Sequence, residues 1–372
     1  YFSSFFEGLI ARDEEGNYTL FDERNSTLEI APGAGPGRIR VAGTATDDAG
    51  FTYVANSRAE NNAVVSVRSP EGEWVALGRD CGLNIAYDIA VDTDGYVWVV
   101  HRDAGDGGLT VIDTNGTPMD PSDDPPCRTI SMSNSALPTN QTRSIAVDLD
   151  GQIWVGTAEG VVVFSCSGRP SDPDGCRGSL PRTEADGFGA YLLENEEIRS
   201  IAVDGANRKW LGTNSGAFLL SADGQEEVLQ FNRGNSPLLD NAVRSITINP
   251  NTGTVYFGTE LGVISYGGNA IQATDFFDEE LVVFPNPVEP GYSGPIAIDG
   301  LAVNARVKIT DLSGKLVTDG ISNGGRFIWD GNDYNGRRVT TGVYLLFASS
   351  GRSTSFEQVD AESAVAKIVF IR

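Results

Sequence analysis

SIAVDLDGQIWVGTAEGVVVFS, residues Ser144–Ser165, carries the pattern from which the architecture is read. Apolar and polar residues alternate up to the Asp150-Gly151 dipeptide, a second run closes in Gly-Thr, and a third run follows at Val161–Phe164. Period-2 alternation marks strands, and Gly accepts the positive φ that hairpin turns require. The phrase recurs as DIAVDTDGYVWVV at Asp88–Val100, SIAVDGANRKWLGTNSGAFLLS at Ser200–Ser221 and SITINPNTGTVYFGTELGVISY at Ser245–Tyr266. A weaker copy is GTATDDAGFTYVANS at Gly43–Ser57. The anchors Ile89, Ile145, Ile201 and Ile246 lie 56, 56 and 45 residues apart, and Gly50 to Gly95 is another 45. Third strands fall at Val161–Phe164, Ala217–Leu220 and Val263–Tyr266, and fourth strands at segments such as Arg128–Ser131 and Val228–Phe231. Four short strands in a unit repeated in this way are the mark of a β-propeller blade. An all-β propeller of six or seven blades is therefore expected over residues 1–275. Trp98, Trp154, Trp210 and Tyr256 share one place in the second strand and are expected to pack between blades.

GLIARDEEGNYTLFDERNS at Gly8–Ser26 reads as a third and fourth strand whose first two are absent. Tyr1 opens the chain without a charged n-region, apolar h-region or cleavage site. The expectation is the later part of a longer polypeptide, with upstream sequence completing the ring.

The 372 residues hold 27 Lys+Arg against 51 Asp+Glu, a net charge of −24, and a single His. A field of that sign repels phosphate, which argues against nucleic acid or anionic membrane as a partner for the whole surface. No apolar run approaches the roughly 20 residues that span a bilayer. The charge is uneven, since Leu281–Arg372 carries nine acidic and nine basic residues. The whole −24 belongs to residues 1–280, and three of the four lysines follow the break. A second domain is expected over 276–372.

Two polar loops lengthen the repeat, Asn115–Pro126 and Ser167–Arg182. Asp113, Asn115, Asp120, Asp123 and Asp124 could serve as oxygen ligands for Ca²⁺, but the Gly and final Glu of an EF-hand loop are missing. A solvated acidic loop without metal is the expectation. Cys81, Cys127, Cys166 and Cys176 allow three pairings. Cys166 and Cys176 bracket a loop of turn residues and could close with little strain, which would leave Cys81 with Cys127. An even number without a C-x-x-C motif favours structural disulfides in an oxidising compartment. His101 neighbours Arg102 and Asp103, yet no nucleophile motif accompanies it. A structural His, no catalytic residue and no cofactor are expected.

After residue 280 come seven short strands: Leu281–Phe284, Pro295–Ile298, Ala305–Thr310, Lys315–Val317, Phe327–Trp329, Gly342–Ala348 and Ala366–Ile371. Their number and spacing read as an immunoglobulin-like β-sandwich. VFPNPV at Val283–Val288, VKITDLSGKLV at Val307–Val317, WDGNDYNGRRVTTGVY at Trp329–Tyr344 and KIVFIR at Lys367–Arg372 resemble the C-terminal sorting domain of the Bacteroidetes type IX secretion system. The blades resemble two-component-regulator propeller repeats. The join of the two, GNSPLLDNAVRSITINPNTGTVYFGTELGVISYGGNA at Gly234–Ala270 before PNPVEPGYSGPIAIDGL, resembles the PorZ-like family of surface components.

That resemblance implies a non-enzymatic protein on the outer face of the outer membrane. It implies a PorU-type sortase, PorV- and PorQ-like subunits and an anionic lipopolysaccharide as partners, and a further propeller upstream. It supplies no glycolipid residues. Electrostatics points instead to the neutral C-terminal region, where Arg326, Arg337 and Arg338 lie around Trp329 and Lys308 alternates outward on a nearby strand. Ordinary surface charges are the plainer account of these four. A sensor propeller would continue into a membrane span and kinase. A secreted propeller enzyme or glycan-binding protein exported by the same system is the other alternative.

Overall fold

A computed structural model describes residues 1–4, 6–79, 81–82, 85–101, 107–166, 168–185, 188–350 and 362–371. It is all-β, with no helix among the described residues. Six antiparallel meanders follow one another with their strands in chain order. The first joins β1 (Phe2–Ser4), β2 (Gly8–Arg12) and β3 (Tyr18–Phe21). The second is β4 (Arg40–Thr46), β5 (Thr52–Ser57), β6 (Val65–Arg68) and β7 (Trp74–Leu77), and the third β8 (Asp88–Val91), β9 (Val97–His101), β10 (Gly108–Ile112) and β11 (Arg128–Ile130). The fourth is β12 (Thr142–Val147), β13 (Ile153–Thr157) and β14 (Gly160–Phe164), followed by a separate hairpin, β15 (Arg182–Ala185) and β16 (Phe188–Tyr191). The fifth is β17 (Ser200–Val203), β18 (Lys209–Gly212), β19 (Ala217–Leu220) and β20 (Glu227–Phe231). The sixth is β21 (Val243–Ile248), β22 (Thr254–Thr259) and β23 (Gly262–Gly267).

The third and fourth strands of the repeats lie where the sequence places them. The amino terminus differs: Phe2 pairs with Ile10 and Ser4 with Gly8, giving β2 a further partner, and Ser4 Oγ accepts the amides of Phe6 and Glu7 in the turn between them.

The hairpins that open with Asp13, Asp47, Asp92 and Asp148 share one five-residue turn. Asp92 N–H bonds Tyr96 O, Gly95 N–H bonds Asp92 O, and Asp92 Oδ1 accepts the amides of Asp94 and Tyr96 at 3.1 and 2.9 Å. Gly95 sits at φ 85°, where a Cβ would be strained. Asp148 repeats this with Asp150 and Gln152, and Asp13 and Asp47 cap the turns before Asn17 and Phe51. The first Asp of the motif is thus the cap, not the one beside Gly. Its second oxygen takes an indole N–H, Trp98 Nε1 at 2.8 Å on Asp92 and Trp154 Nε1 at 3.0 Å on Asp148.

Apolar cores lie between successive meanders. Val97 and Val99 pack with Tyr53, Val65 and Val67, while their alternate neighbours Trp98 and Val100 pack with Ile145, Val155 and Phe164. Trp154, Val161 and Val163 continue the series with Ile198, Leu211 and Phe218. Each such fully buried aliphatic side chain contributes roughly 1.5–3 kcal/mol. Trp98, Trp154 and Trp210 are buried as expected, but Tyr256 is 39% exposed. Strands β9 and β13 are buried on both faces, whereas β22 buries Val255 and Phe257 and turns Tyr256 outward. Of the three cysteine pairings left open, Cys81–Cys127 and Cys166–Cys176 form, with Cα atoms 5.2 and 4.9 Å apart.

All seven C-terminal strands are present. Strands β24 (Val282–Phe284), β25 (Ile296–Asp299) and β28 (Arg326–Trp329) form one sheet. The other has the order β27 (Leu316–Ile321), β26 (Arg306–Asp311), β29 (Gly342–Ser349), β30 (Ser363–Phe370). Trp329, Tyr344 and Phe370 meet edge-to-face with centroids 5.4–5.8 Å apart, among buried Ile298, Val307, Ile309, Leu346 and Ile368. The chain divides into two compact units. One comprises Tyr1–Ala202, Lys209–Ile246 and Gly258–Gly262, the other Val203–Arg208, Thr247–Phe257 and Val263–Arg372.

Candidate functional site

Two turns of the second unit have the same sequence logic. In DLSGK, Asp311 Oδ1 accepts the amides of Ser313 and Lys315 at 2.9 and 3.0 Å. In DYNGR, Asp333 Oδ1 accepts those of Asn335 and Arg337 at the same distances. Gly314 and Gly336 take the positive φ in each, at 85° and 75°. A cation therefore follows each turn glycine at a fixed place. Tyr334 N–H to Val317 O at 2.8 Å ties the two turns together.

Between them lies a groove of about 590 Å³, lined among others by Asp311, Lys315, Asp333, Tyr334, Arg337 and Arg338. Hydrogen bonds from Ser313 and its own turn amides hold the Asp311 carboxyl below its usual range. The Arg337 amide does the same for Asp333. Both carboxylates stay charged but spend an oxygen on their own turns. Lys315 and Arg337 make no side-chain hydrogen bond or ion pair among the described residues. They are free to meet an anion, with Arg337 able to present a planar fork.

The four cations singled out from sequence do not converge here. Arg338 lines the groove, but its guanidinium donates to Asp330 O and, at 2.7 Å, to Tyr292 O, and stacks 5.2 Å over Phe370. Arg326 is spent elsewhere: it grips Asp299 with two bonds of 2.6 and 2.7 Å and donates to Thr252 O at 3.1 Å. Lys308 is exposed on the outer face of β26, away from the groove lining. Lys315 was missed, although the repetition of D-x-x-G-[KR] in DLSGK and DYNGR is the signal that pairs it with Arg337. A larger groove of about 990 Å³ is lined by Asp278, Glu279, Glu280 and Glu362 with Lys367 and would repel an anion.

The other candidates resolve differently. His101 Nε2 lies 2.8 Å from Thr110 Oγ1 in the interior, and burial depresses its pKa to about 4, so it is neutral at physiological pH. Arg102 and Asp103 lie outside the described residues. In the acidic loop, Asp113 pairs with Arg169 at 2.5 Å and accepts from Ser171. Asp120 binds Ser122, and Asp123 binds Asn115 and Thr117. Asp124, crowded by its neighbours after losing water, rises to about 6. Its Oδ1 is buried with no partner among the described residues.

No protein-family model and no curated protein matches the sequence. Among solved structures, the chain is similar to PorZ of Porphyromonas gingivalis, described as an essential bacterial surface component of the type IX secretion system. The match has a TM-score of 0.62 and 25% identity, and covers 100% of this chain and 50% of PorZ. It also aligns with the extracellular domain of a hybrid two-component system from B. thetaiotaomicron, at 15% identity and TM-score 0.47 over 97% of this chain and 49% of that one. Virginiamycin B lyase from Staphylococcus aureus aligns at 13% identity and TM-score 0.41, covering 78% and 83%. This chain is thus similar to PorZ along its whole length and spans about half of it.

Proposed function

We propose that this chain is a cell-surface component of a type IX secretion system, built as a β-propeller followed by an immunoglobulin-like sandwich of sorting-domain type. In this reading it has no catalysis of its own. It presents an anionic lipopolysaccharide to a PorU-type sortase, beside PorV- and PorQ-like subunits. The observation that carries the reading is the likeness to PorZ over the whole chain, at a TM-score of 0.62.

Other features agree with it. Successive meanders that share cores between their faces are how blades pack. Two disulfides suit an oxidising exterior. No helix is long and apolar enough to cross a membrane among the described residues. The glycolipid's anionic groups belong in the groove at Lys315 and Arg337, with Arg338 as its wall. Lys308 and Arg326 are left out because one is remote from the groove lining and the other is already paired.

Affinity capture of the tagged chain from the surface of its own cells is the test, and the sortase should come with it. A surface fraction without sortase would overturn the assembly role. Purified lipopolysaccharide should bind the chain at least tenfold more weakly after Lys315→Glu with Arg337→Glu, through loss of two charge-assisted contacts. Unchanged binding would remove the groove from the proposal.

A further inference from the structure

We propose that the outer face of the β27–β26–β29–β30 sheet docks onto an anionic lipid surface. The register sets out that face residue by residue. Asp319, Lys308, Phe347 and Val365 stand side by side across the four strands, and Ile321, Arg306, Ser349 and Ser363 form the next row. Leu345 beside Lys367 continues it on the other side. Cross-strand partners share a face, so these side chains form one surface.

Its composition is unusual for this molecule. Ile321 is 59% exposed, Phe347 43% and Val365 60%. Arg306, Lys308 and Lys367 are exposed among them, and none makes an ion pair among the described residues. Asp319 is the single carboxylate in these rows. In a chain of net charge −24, three unpaired cations interleaved with three exposed apolar side chains are not average surface. Cations draw the face to an anionic bilayer, and apolar side chains between them enter the headgroup boundary. The acidic groove touches this face at its β30 edge, through Val365 and Lys367, while Arg306, Lys308, Ile321 and Phe347 line neither groove. At Arg306, Lys308, Ile321 and Phe347 the face carries no cleft, which fits a planar partner better than a peptide.

The proposal is independent of the secretion role, because plain phospholipid tests it. The full chain is sedimented with phosphatidylcholine vesicles, with and without phosphatidylglycerol, at low and high salt. Sedimentation with the anionic vesicles at low salt, and release by high salt, are expected. Arg306→Gln with Lys308→Gln should lower partitioning by about 25-fold, roughly fivefold per cation. Phe347→Ser should lower it too. Thermal melts establish that each variant is folded. The proposal fails if anionic vesicles are not bound at low salt, or if the Arg306/Lys308 variant binds as well as the parent. Capture of polyglutamate through these residues without vesicle binding would mark the face as a site for an acidic protein and also overturn it.

Discussion

Asp88 occupies the place that Ser144, Ser200 and Ser245 hold in the other repeats, and its carboxyl faces inward. Oδ1 accepts the Ile89 amide at 2.9 Å, and Oδ2 accepts the Ile145 amide of the next meander at 3.2 Å. Gly43 lets it fit, since a Cβ there would stand 2.8 Å from Oδ1. Removal from water outweighs the two amides and raises its pKa to about 7. The unfolded value is about 3.9. Between the two, the folded chain holds a proton that the unfolded chain has released. This contribution is therefore greatest below about pH 3.9 and is lost as pH rises toward 7. The full window corresponds to ~4 kcal/mol, and solvent at this partly exposed residue reduces that to roughly 2–4.

Asp88→Asn keeps an acceptor for one amide and removes the titration. Urea unfolding followed by tryptophan fluorescence, across about pH 4 to pH 8, should show the variant gaining on the parent by roughly 2–4 kcal/mol as pH rises. Hydrogen exchange at the Ile145 amide supplies the local measure. A difference between the two proteins that does not change with pH would refute the account of Asp88.

Lys209 is fully buried, 2.8 Å from buried Asp148 and 4.7 Å from the Trp154 ring centroid. Lys209→Met should cost about 3–5 kcal/mol in denaturant unfolding by stranding the carboxylate, and adding Asp148→Asn should recover most of it. Replacing Cys166 and Cys176 together by Ser should lower stability by ~3 kcal/mol through the loop they close, measured by thermal unfolding under non-reducing conditions. The lone imidazole should show no titration by proton NMR between about pH 8 and pH 5.5. Because burial depresses its pKa to about 4, His101 costs stability as pH falls from about 6.5 toward 4.

The repeats were legible because period-2 alternation and the turn glycines are local. Strands β14, β19 and β20 needed only their own residues and the copies beside them. Strand β1 was not legible, since Phe2–Ser4 is too short to show alternation and is held by pairing to β2. Tyr256 was misplaced for a related reason: its strand matches Trp98 and Trp154 in sequence, but burial depends on what covers the sheet. Arg326, Arg337 and Arg338 do not share one groove with free donors, because proximity in sequence to Trp329 says nothing about spent donors. Arg326 and Asp299 face each other in paired strands, at a register no motif displays. Lys315 and Arg337 were brought together by two similar turns 22 positions apart, which could be read only by comparing the turns with each other.

Net charge proved the least transferable quantity. Many of the acids behind the −24 are turn caps. The carboxylates of Asp13, Asp47, Asp92, Asp148 and Asp204 bond turn amides, so their places are set by hairpins and not by any partner. The balance of nine and nine after residue 280 hides the opposite arrangement. Asp299 is joined to Arg326, and Asp311 and Asp333 cap their turns, while Asp278, Glu279, Glu280 and Glu362 gather at one groove. Arg306 and Lys308 are left unpaired on a separate face. A region of zero net charge can therefore bind anions with a steep salt dependence, because screening acts over about 8 Å and senses the local face, not the sum. The sign of the partner has to be argued from which charges are already spent.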